Sequence, residues 1–163
     1  IEDKIFIKNS DLQINKEIIV DYNQTSDNVI RVIKGTNFDY FSNKAQDVFF
    51  KQEFSVTKLA DRMGIRLNGH KLENIISTNI KSEGLVKGVI QVPADGNPII
   101  MLSDHGTIGG YPKIAIIISA DFDRVGQLTP GSIIKFKEVS LEEAQNIFKA
   151  YIDETNIYLN ECN

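Results

Sequence analysis

Residues Gly84–Pro112 read GLVKGVIQVPADGNPIIMLSDHGTIGGYP, and the fold follows from how that stretch divides. Val89, Ile90 and Val92 have the β-branched character of a strand, and Pro93, which cannot donate to a ladder, closes it. Asp95-Gly96 supplies a tight turn, and Ile99, Ile100, Met101 and Leu102 return as a second strand, so the stretch predicts a β-hairpin. Asp104 and Thr107 arrive at the tip of that second strand. Gly109-Gly110 follows, a pair that can adopt positive φ and lets a ligand approach the backbone closely. Asp104, Thr107, Gly109, Gly110 and Tyr111 together offer an acceptor, a hydroxyl, backbone N–H donors and a phenol, the parts needed to hold a polar planar group.

Working outward, Lys4–Lys8, Glu17–Val20 and Val29–Ile33 read as short strands. From Asn37 to Phe50 the apolar residues Phe38, Phe41, Ala45, Val48 and Phe49 recur every three or four positions, which predicts a helix capped by Thr36 or Asn37. Phe54–Thr57 is extended. Arg62–Asn68 alternates, with Met63, Ile65 and Leu67 opposite Arg62 and Arg66, placing both arginines on one face. Ile75–Ile80 and Ile114–Ser119 read as further strands, the latter aliphatic enough to be covered on both sides. Asp121–Val125 suits one helical turn, Gln127–Gly131 a turn, and Ile133–Phe136 a last strand. Leu141–Tyr158 is a closing helix, with Ser140 at its cap and Glu143 three residues on. Strands spaced by roughly ten residues without regular intervening helices predict a mainly β, closed or nearly closed barrel with two or three helices, a single domain over residues 1–163.

The 163 residues, 42% of them hydrophobic and 25% charged, suffice for one domain with a real core. A net charge of −4, with 18 basic residues scattered along the chain, argues against a nucleic-acid partner. No apolar run approaches the roughly 20 residues that span a bilayer, and no signal-peptide pattern opens the chain, so a soluble, cytoplasmic protein without a membrane partner is expected. Cys162, the lone cysteine, forms no internal disulfide. The chain starts at Ile1 directly within a strand-like run, which suggests that a preceding segment belongs to it. There is no phosphate loop ending in Gly-Lys-Ser/Thr and no His-Glu-x-x-His helix, and no metal site is expected. His70 lies in a polar turn and reads as a surface residue, whereas His105 lies inside the suspected binding loop.

A series of motifs carries a resemblance. Asp61-Arg62-Met63-Gly64, Arg66-Leu67-x-Gly69, Glu83-Gly84 and Gly88-x-Ile90-Gln91-Val92-Pro93-x-Asp95-Gly96-x-Pro98 come first. Asp104-x-x-Thr107-x-Gly109-Gly110-Tyr111-Pro112-x-Ile114-Ala115, Ala120-Asp121 and Gln127-Leu128-x-Pro130-Gly131 follow in order. The series resembles the allophanate hydrolase subunit 2 family, which includes the 5-oxoprolinase C subunit, the carboxyltransferase domain of urea amidolyase, and regulators that counter an inhibitor of a sporulation kinase. The match runs from about Val29 to Lys137 and corresponds to the C-terminal half of a family member, leaving an N-terminal barrel half as a missing partner. Ile65, Gly106 and Ile108 depart from the family pattern and thin its polar lining.

The resemblance implies a cyclophilin-like β-barrel and the ATP-dependent opening of 5-oxoproline to glutamate, performed with a partner like allophanate hydrolase subunit 1 (the 5-oxoprolinase B subunit) and a third, hydrolytic subunit. It implies ATP in the assembled complex and no cofactor on this chain alone. The alternatives are biotin-dependent carboxyl transfer to a urea-like amide, or a non-catalytic regulatory binding module. In these terms Arg62 would grip a carboxylate or phosphate, Gln91 would pair with the substrate amide, and the Gly109 and Gly110 amides would face an oxyanion. Thr107 and Tyr111 would add a hydroxyl and a phenol, and Asp95 or Asp104 would serve as acid or base. Each has a plainer reading as well: Asp95-Gly96 is an ordinary turn pair, and Arg62 would pair with Asp61 or Glu83 at the surface.

Overall fold

The computed structural model describes residues 28–161, with side chains through Asn156. Nine strands occur in it: β1 (Val29–Lys34), β2 (Glu53–Val56), β3 (Gly64–Asn68), β4 (Glu83–Gly84), β5 (Val89–Gln91), β6 (Ile99–Met101), β7 (Ile108–Gly109), β8 (Lys113–Ile117) and β9 (Ile133–Glu138). Three α-helices accompany them, α1 (Asn43–Lys51), α2 (Phe122–Gly126) and α3 (Leu141–Glu161). The strands expected at Lys4–Lys8 and Glu17–Val20 lie outside the described residues.

Seven strands close into a barrel in the order β1-β8-β5-β6-β3-β2-β9. Period-two alternation puts Ile30 and Val32, Phe54 and Val56, Ile65 and Leu67, and Ile134 and Phe136 into its core, while their neighbours face outward. The barrel closes through the parallel pair β1–β9, with Val29 opposite Lys135 and Val32 opposite Glu138. The remaining pairs in the barrel are antiparallel. Among them is the expected hairpin, β5–β6, which pairs Ile90 with Ile100 and turns through Gly96 at φ +76°. The mainly β barrel read from the strand spacing is therefore borne out, together with the cyclophilin-like class and the closing helix.

Helix α1 packs against β9 through Phe49, which stacks on Phe136 with ring centroids 4.5 Å apart and also meets Phe54. The helix begins later than its apolar spacing suggests. Phe38–Tyr40 forms a 3-10 turn, Phe41 is extended, and Ser42 rather than Thr36 or Asn37 caps α1 by accepting the Ala45 N–H at 3.1 Å. Asn37 is instead buried and accepts the Lys113 N–H at 3.1 Å.

Two further expectations are corrected. Ile75–Ile80 is not a strand: Asn74 and Ser77 side chains bond to backbone within the segment, replacing a ladder, and Ile75 and Ile76 face solvent. Arg62 does not share a strand face with Arg66, because it lies in a turn ahead of β3, where Asp61 Oδ1 accepts the N–H groups of Met63 and Gly64.

After β8, Ser119–Asp121 makes a 3-10 turn that leads into α2, extending the single turn expected there. Asp121 is fully buried and accepts the Arg31 backbone N–H at 2.7 Å as well as the Arg31 guanidinium, with Arg124 at 3.8 Å. This ties the turn to β1 with charge-assisted bonds. The C-terminal helix starts as read, with Glu143 N–H donating to Ser140 Oγ at 3.0 Å, and packs by Ala144, Ile147 and Tyr151 near Ile118 and Val139.

Phe49 fills the core at the junction of α1, β2 and β9. Phe49→Ala is expected to cost about 3–5 kcal/mol, the range for emptying a fully buried aromatic site. Chemical denaturation followed by far-UV circular dichroism measures it, and a loss below about 1 kcal/mol would contradict this packing.

Candidate functional site

Strands β4 and β7 form a two-stranded ribbon apart from the barrel, pairing Glu83 with Gly109 and Gly84 with Ile108. Its ends are held by Leu85 N–H on the Thr107 carbonyl at 2.9 Å and Ile80 N–H on the Gly110 carbonyl at 2.8 Å. Under the ribbon lie two buried polar residues from neighbouring barrel strands, Gln91 on β5 and Lys113 on β8, which are Cα partners across the ladder. Gln91 Nε2 donates to the Tyr111 carbonyl at 3.0 Å, and Lys113 Nζ meets Glu83 Oε2 at 2.5 Å. The Lys113 side chain is 4% exposed, the Glu83 side chain 47%.

The glycine pair has a different reason from the one expected. Positive φ among the described residues occurs at Gly88, Gly96 and Gly131, and not at Gly109 or Gly110. Gly109 is needed for close approach: a Cβ there would stand 2.7 Å from Gln91 Nε2 and 2.9 Å from Leu85 Cδ1. At Gly110 a Cβ would stand 3.2 Å from the Ile80 carbonyl oxygen. The ribbon thus seats its backbone directly on the Gln91 amide.

The remaining candidates fall elsewhere. Arg62 and Asp104 are joined by an ion pair of 2.6 Å, with side chains 89% and 44% exposed, and Asp104 N–H donates to the Arg62 carbonyl at 3.3 Å. They sit beyond Gly64 and Met101, at the end of β3 and β6 away from the hairpin turn. Arg62 therefore pairs with Asp104 rather than with Asp61 or Glu83. Asp95 is in the turn at the other end of the hairpin, accepting the Asn97 N–H at 3.1 Å and Asn97 Nδ2 at 3.0 Å. Partial burial raises the Asp95 pKa, but the two Asn97 bonds and the charges of Lys71 and Arg66 outweigh it and hold the carboxyl below the usual aspartate value. At neutral pH Asp95 is ionised, which suits a turn acceptor better than an acid. Thr107 and Tyr111 are exposed, and His105 Nδ1 lies 2.6 Å from the Gly106 carbonyl.

Of the residues expected to share one site, the structure brings Gln91, Gly109, Gly110 and Tyr111 together under and along the ribbon, and it joins Arg62 to Asp104 as a separate surface pair that the sequence reading did not foresee. It does not place Asp95 with either group. The sequence reading also missed Lys113, for which there was a signal: a lone cation between Pro112 and the aliphatic run that begins at Ile114. An open cleft of about 430 Å³ lies on another part of the barrel, lined by Glu53–Ser55, Asn68–His70 and Ile133. It contains none of these groups and no buried charge, so the polar cluster under the ribbon is the stronger candidate.

A closed seven-stranded barrel with a Gly-Gly ribbon laid over buried polar groups defines a class, and comparison with known proteins supplies the family. The chain belongs to the carboxyltransferase domain family, subdomains A and B, whose pattern matches residues 2–138. It is 40% identical over 117 residues to the 5-oxoprolinase C subunit of Escherichia coli K12, covering 72% of this chain and 38% of that one. It is 37% identical over 138 residues to the 5-oxoprolinase C subunit of Haemophilus influenzae, covering 83% and 45%. Among solved structures, K. lactis urea amidolyase superimposes with a TM-score of 0.74 at 26% identity, over 79% of this chain and 8% of that one. The chain spans less than half the length of the two curated relatives.

Two outcomes test the site's physical basis. Gly109→Ala should force the Gln91 amide off the Tyr111 carbonyl and cost about 1–3 kcal/mol, whereas Gly126→Ala, with nothing within 4 Å of its Cβ, should be neutral or stabilising; equal melting shifts for the two would refute the close approach. Because the folded pKa of Asp95 is lowered, its stabilising contribution is present above the unfolded value of about 4 and is lost as pH falls through the folded value. Carboxyl-carbon NMR titration should therefore find Asp95 titrating below that value in wild type, and closer to it once Asn97→Ala is combined with Lys71→Ala, which removes the side-chain bond and one charge but leaves the Asn97 backbone N–H and Arg66.

Proposed function

We propose that the chain is part of a protein of the 5-oxoprolinase C subunit type, which helps open the lactam of 5-oxoproline to glutamate within an ATP-dependent complex. The observation that carries this reading is the identity of 40% and 37% to two 5-oxoprolinase C subunits, against 26% for the urea amidolyase structure. In the net reaction water adds to the ring carbonyl carbon, the C–N bond breaks and the nitrogen takes up a proton. The amide is inert by resonance, so it must be gripped and its oxygen's developing charge stabilised. Gln91 offers an amide donor and acceptor for that grip, beside the Gly109 backbone. The driving force would come from ATP in the assembled complex, since this sequence carries no phosphate loop of its own.

Partners in this reading are an allophanate hydrolase subunit 1-like protein, equivalent to the 5-oxoprolinase B subunit, and the portion of the C subunit that this chain does not span, in the cytoplasm. Exposed apolar residues support assembly: Ile75 and Ile76 at 63%, Val86 at 56% and Ile108 at 64% lie on the ribbon and the segments flanking it. Among the described residues no helix is long and apolar enough to cross a membrane. The second reading, biotin-dependent carboxyl transfer to a urea-like amide, is favoured by the closeness of fold to K. lactis urea amidolyase.

The 163-residue chain alone is expected to release little glutamate from 5-oxoproline and ATP. Combined with its subunit 1-like, hydrolytic and N-terminal barrel partners, it is expected to release glutamate in an ATP-dependent manner. Coupled glutamate detection measures both. Robust turnover by the chain alone, or carboxylation of urea in preference to 5-oxoproline by the complex, would overturn the proposal.

A further inference from the structure

Lys113 is the least ordinary residue in the barrel. An ammonium almost wholly removed from water needs a paired anion, because leaving it unpaired costs far more than an exposed ion pair returns. Its position is fixed by the barrel: its N–H donates to Asn37 Oδ1 at 3.1 Å, its carbonyl accepts the Asn37 N–H at 3.2 Å, and β8 pairs it with Gln91. Its anion is held differently. Glu83 belongs to a two-residue strand whose ladder partner is β7, outside the barrel, and its side chain is half exposed. A rooted cation is thus matched to a carboxylate on a peripheral ribbon.

We infer that Lys113 is a carboxylate-binding group and that Glu83 occupies, in the resting chain, the position a ligand's carboxylate takes. The exchange conserves charge. When one carboxylate replaces another on Nζ, the buried ammonium is never left unpaired, and the displaced Glu83 returns to water, to which it is already half exposed. Gln91 lies beside Lys113 with one amide hydrogen spent on the Tyr111 carbonyl, and its second N–H and its Oε1 complement an amide, so the pair matches a carboxylate next to an amide, the chemistry of a lactam or N-acyl amino acid. For 5-oxoproline as the occupant this rests on the functional proposal above; for a small carboxylate it does not.

The test uses the full chain and three probes: acetate, 5-oxoproline and the uncharged lactam 2-pyrrolidinone, at matched ionic strength. Glu83→Ala should melt several degrees early and recover on adding acetate or 5-oxoproline but not 2-pyrrolidinone, while Glu83→Ala combined with Lys113→Met should not respond. Glu83→Gln keeps the side chain's shape and a hydrogen bond to Nζ, so it covers the case in which Glu83→Ala fails to fold. Calorimetry should show it binding 5-oxoproline about tenfold more tightly than wild type, as when a competent state populated at about a tenth becomes dominant. Recovery with acetate but not 5-oxoproline would support the carboxylate site and count against 5-oxoproline as its ligand. Recovery that persists without Lys113, equal melting in acetate and chloride, or equal 5-oxoproline affinities in the absence of any acetate effect would overturn the inference.

Discussion

The barrel depends on a pairing between strands about a hundred residues apart: β1 and β9 must run side by side, in parallel, for the sheet to close. Closure removes the edges at which an open sheet would recruit another chain. It also sets where chemistry can sit. The interior is filled by Phe49, Phe54, Phe136 and the aliphatic residues that alternate inward, leaving the outer surface and the strand ends for polar groups. Asp121 protects the closure from outside, accepting the Arg31 backbone and guanidinium so that the chain leaving β8 is tied back to β1.

The β4–β7 ribbon is the one two-stranded element described outside that closed ladder, and its position explains the composition beneath it. A ribbon of two-residue strands has little apolar area with which to hold itself down. Polar contacts do so instead: the Tyr111 carbonyl on Gln91 and Glu83 on Lys113. Such contacts differ from apolar packing in being exchangeable for a ligand of matching chemistry without leaving a void.

Legibility tracked how local the cause was. The β5–β6 hairpin was readable because Pro93 and Asp95-Gly96 bracket two β-branched runs, and Ser140 with Glu143 announced α3 within four residues. Ile75–Ile80 misled because Ile75, Ile76 and Ile80 look like a strand, while the decision was made by Asn74 and Ser77 bonding to nearby backbone. Asn37 was read as a helix cap from its neighbours, yet its side chain is taken by Lys113, 76 positions away. The Gly109-Gly110 pair was noticed for the right place and the wrong cause: the constraint is the amide of Gln91 pressed against Gly109, not a left-handed backbone. Motif order found the family because it samples many such distant constraints at once.

The ribbon also faces two ways, and this links the proposed assembly to the inferred site. Glu83 on β4 points its carboxylate at Lys113, while Ile108, opposite Gly84 on β7, is 64% exposed among the apolar residues a partner would cover. Two strands of two residues cannot move independently, because each ladder bond of one is a bond of the other. A surface that buries Ile108 and Val86 therefore acts on the same backbone that carries Glu83. If partner binding shifts that ribbon even slightly, the ammonium either keeps its resident carboxylate or exchanges it, since a buried charge is not stable between the two.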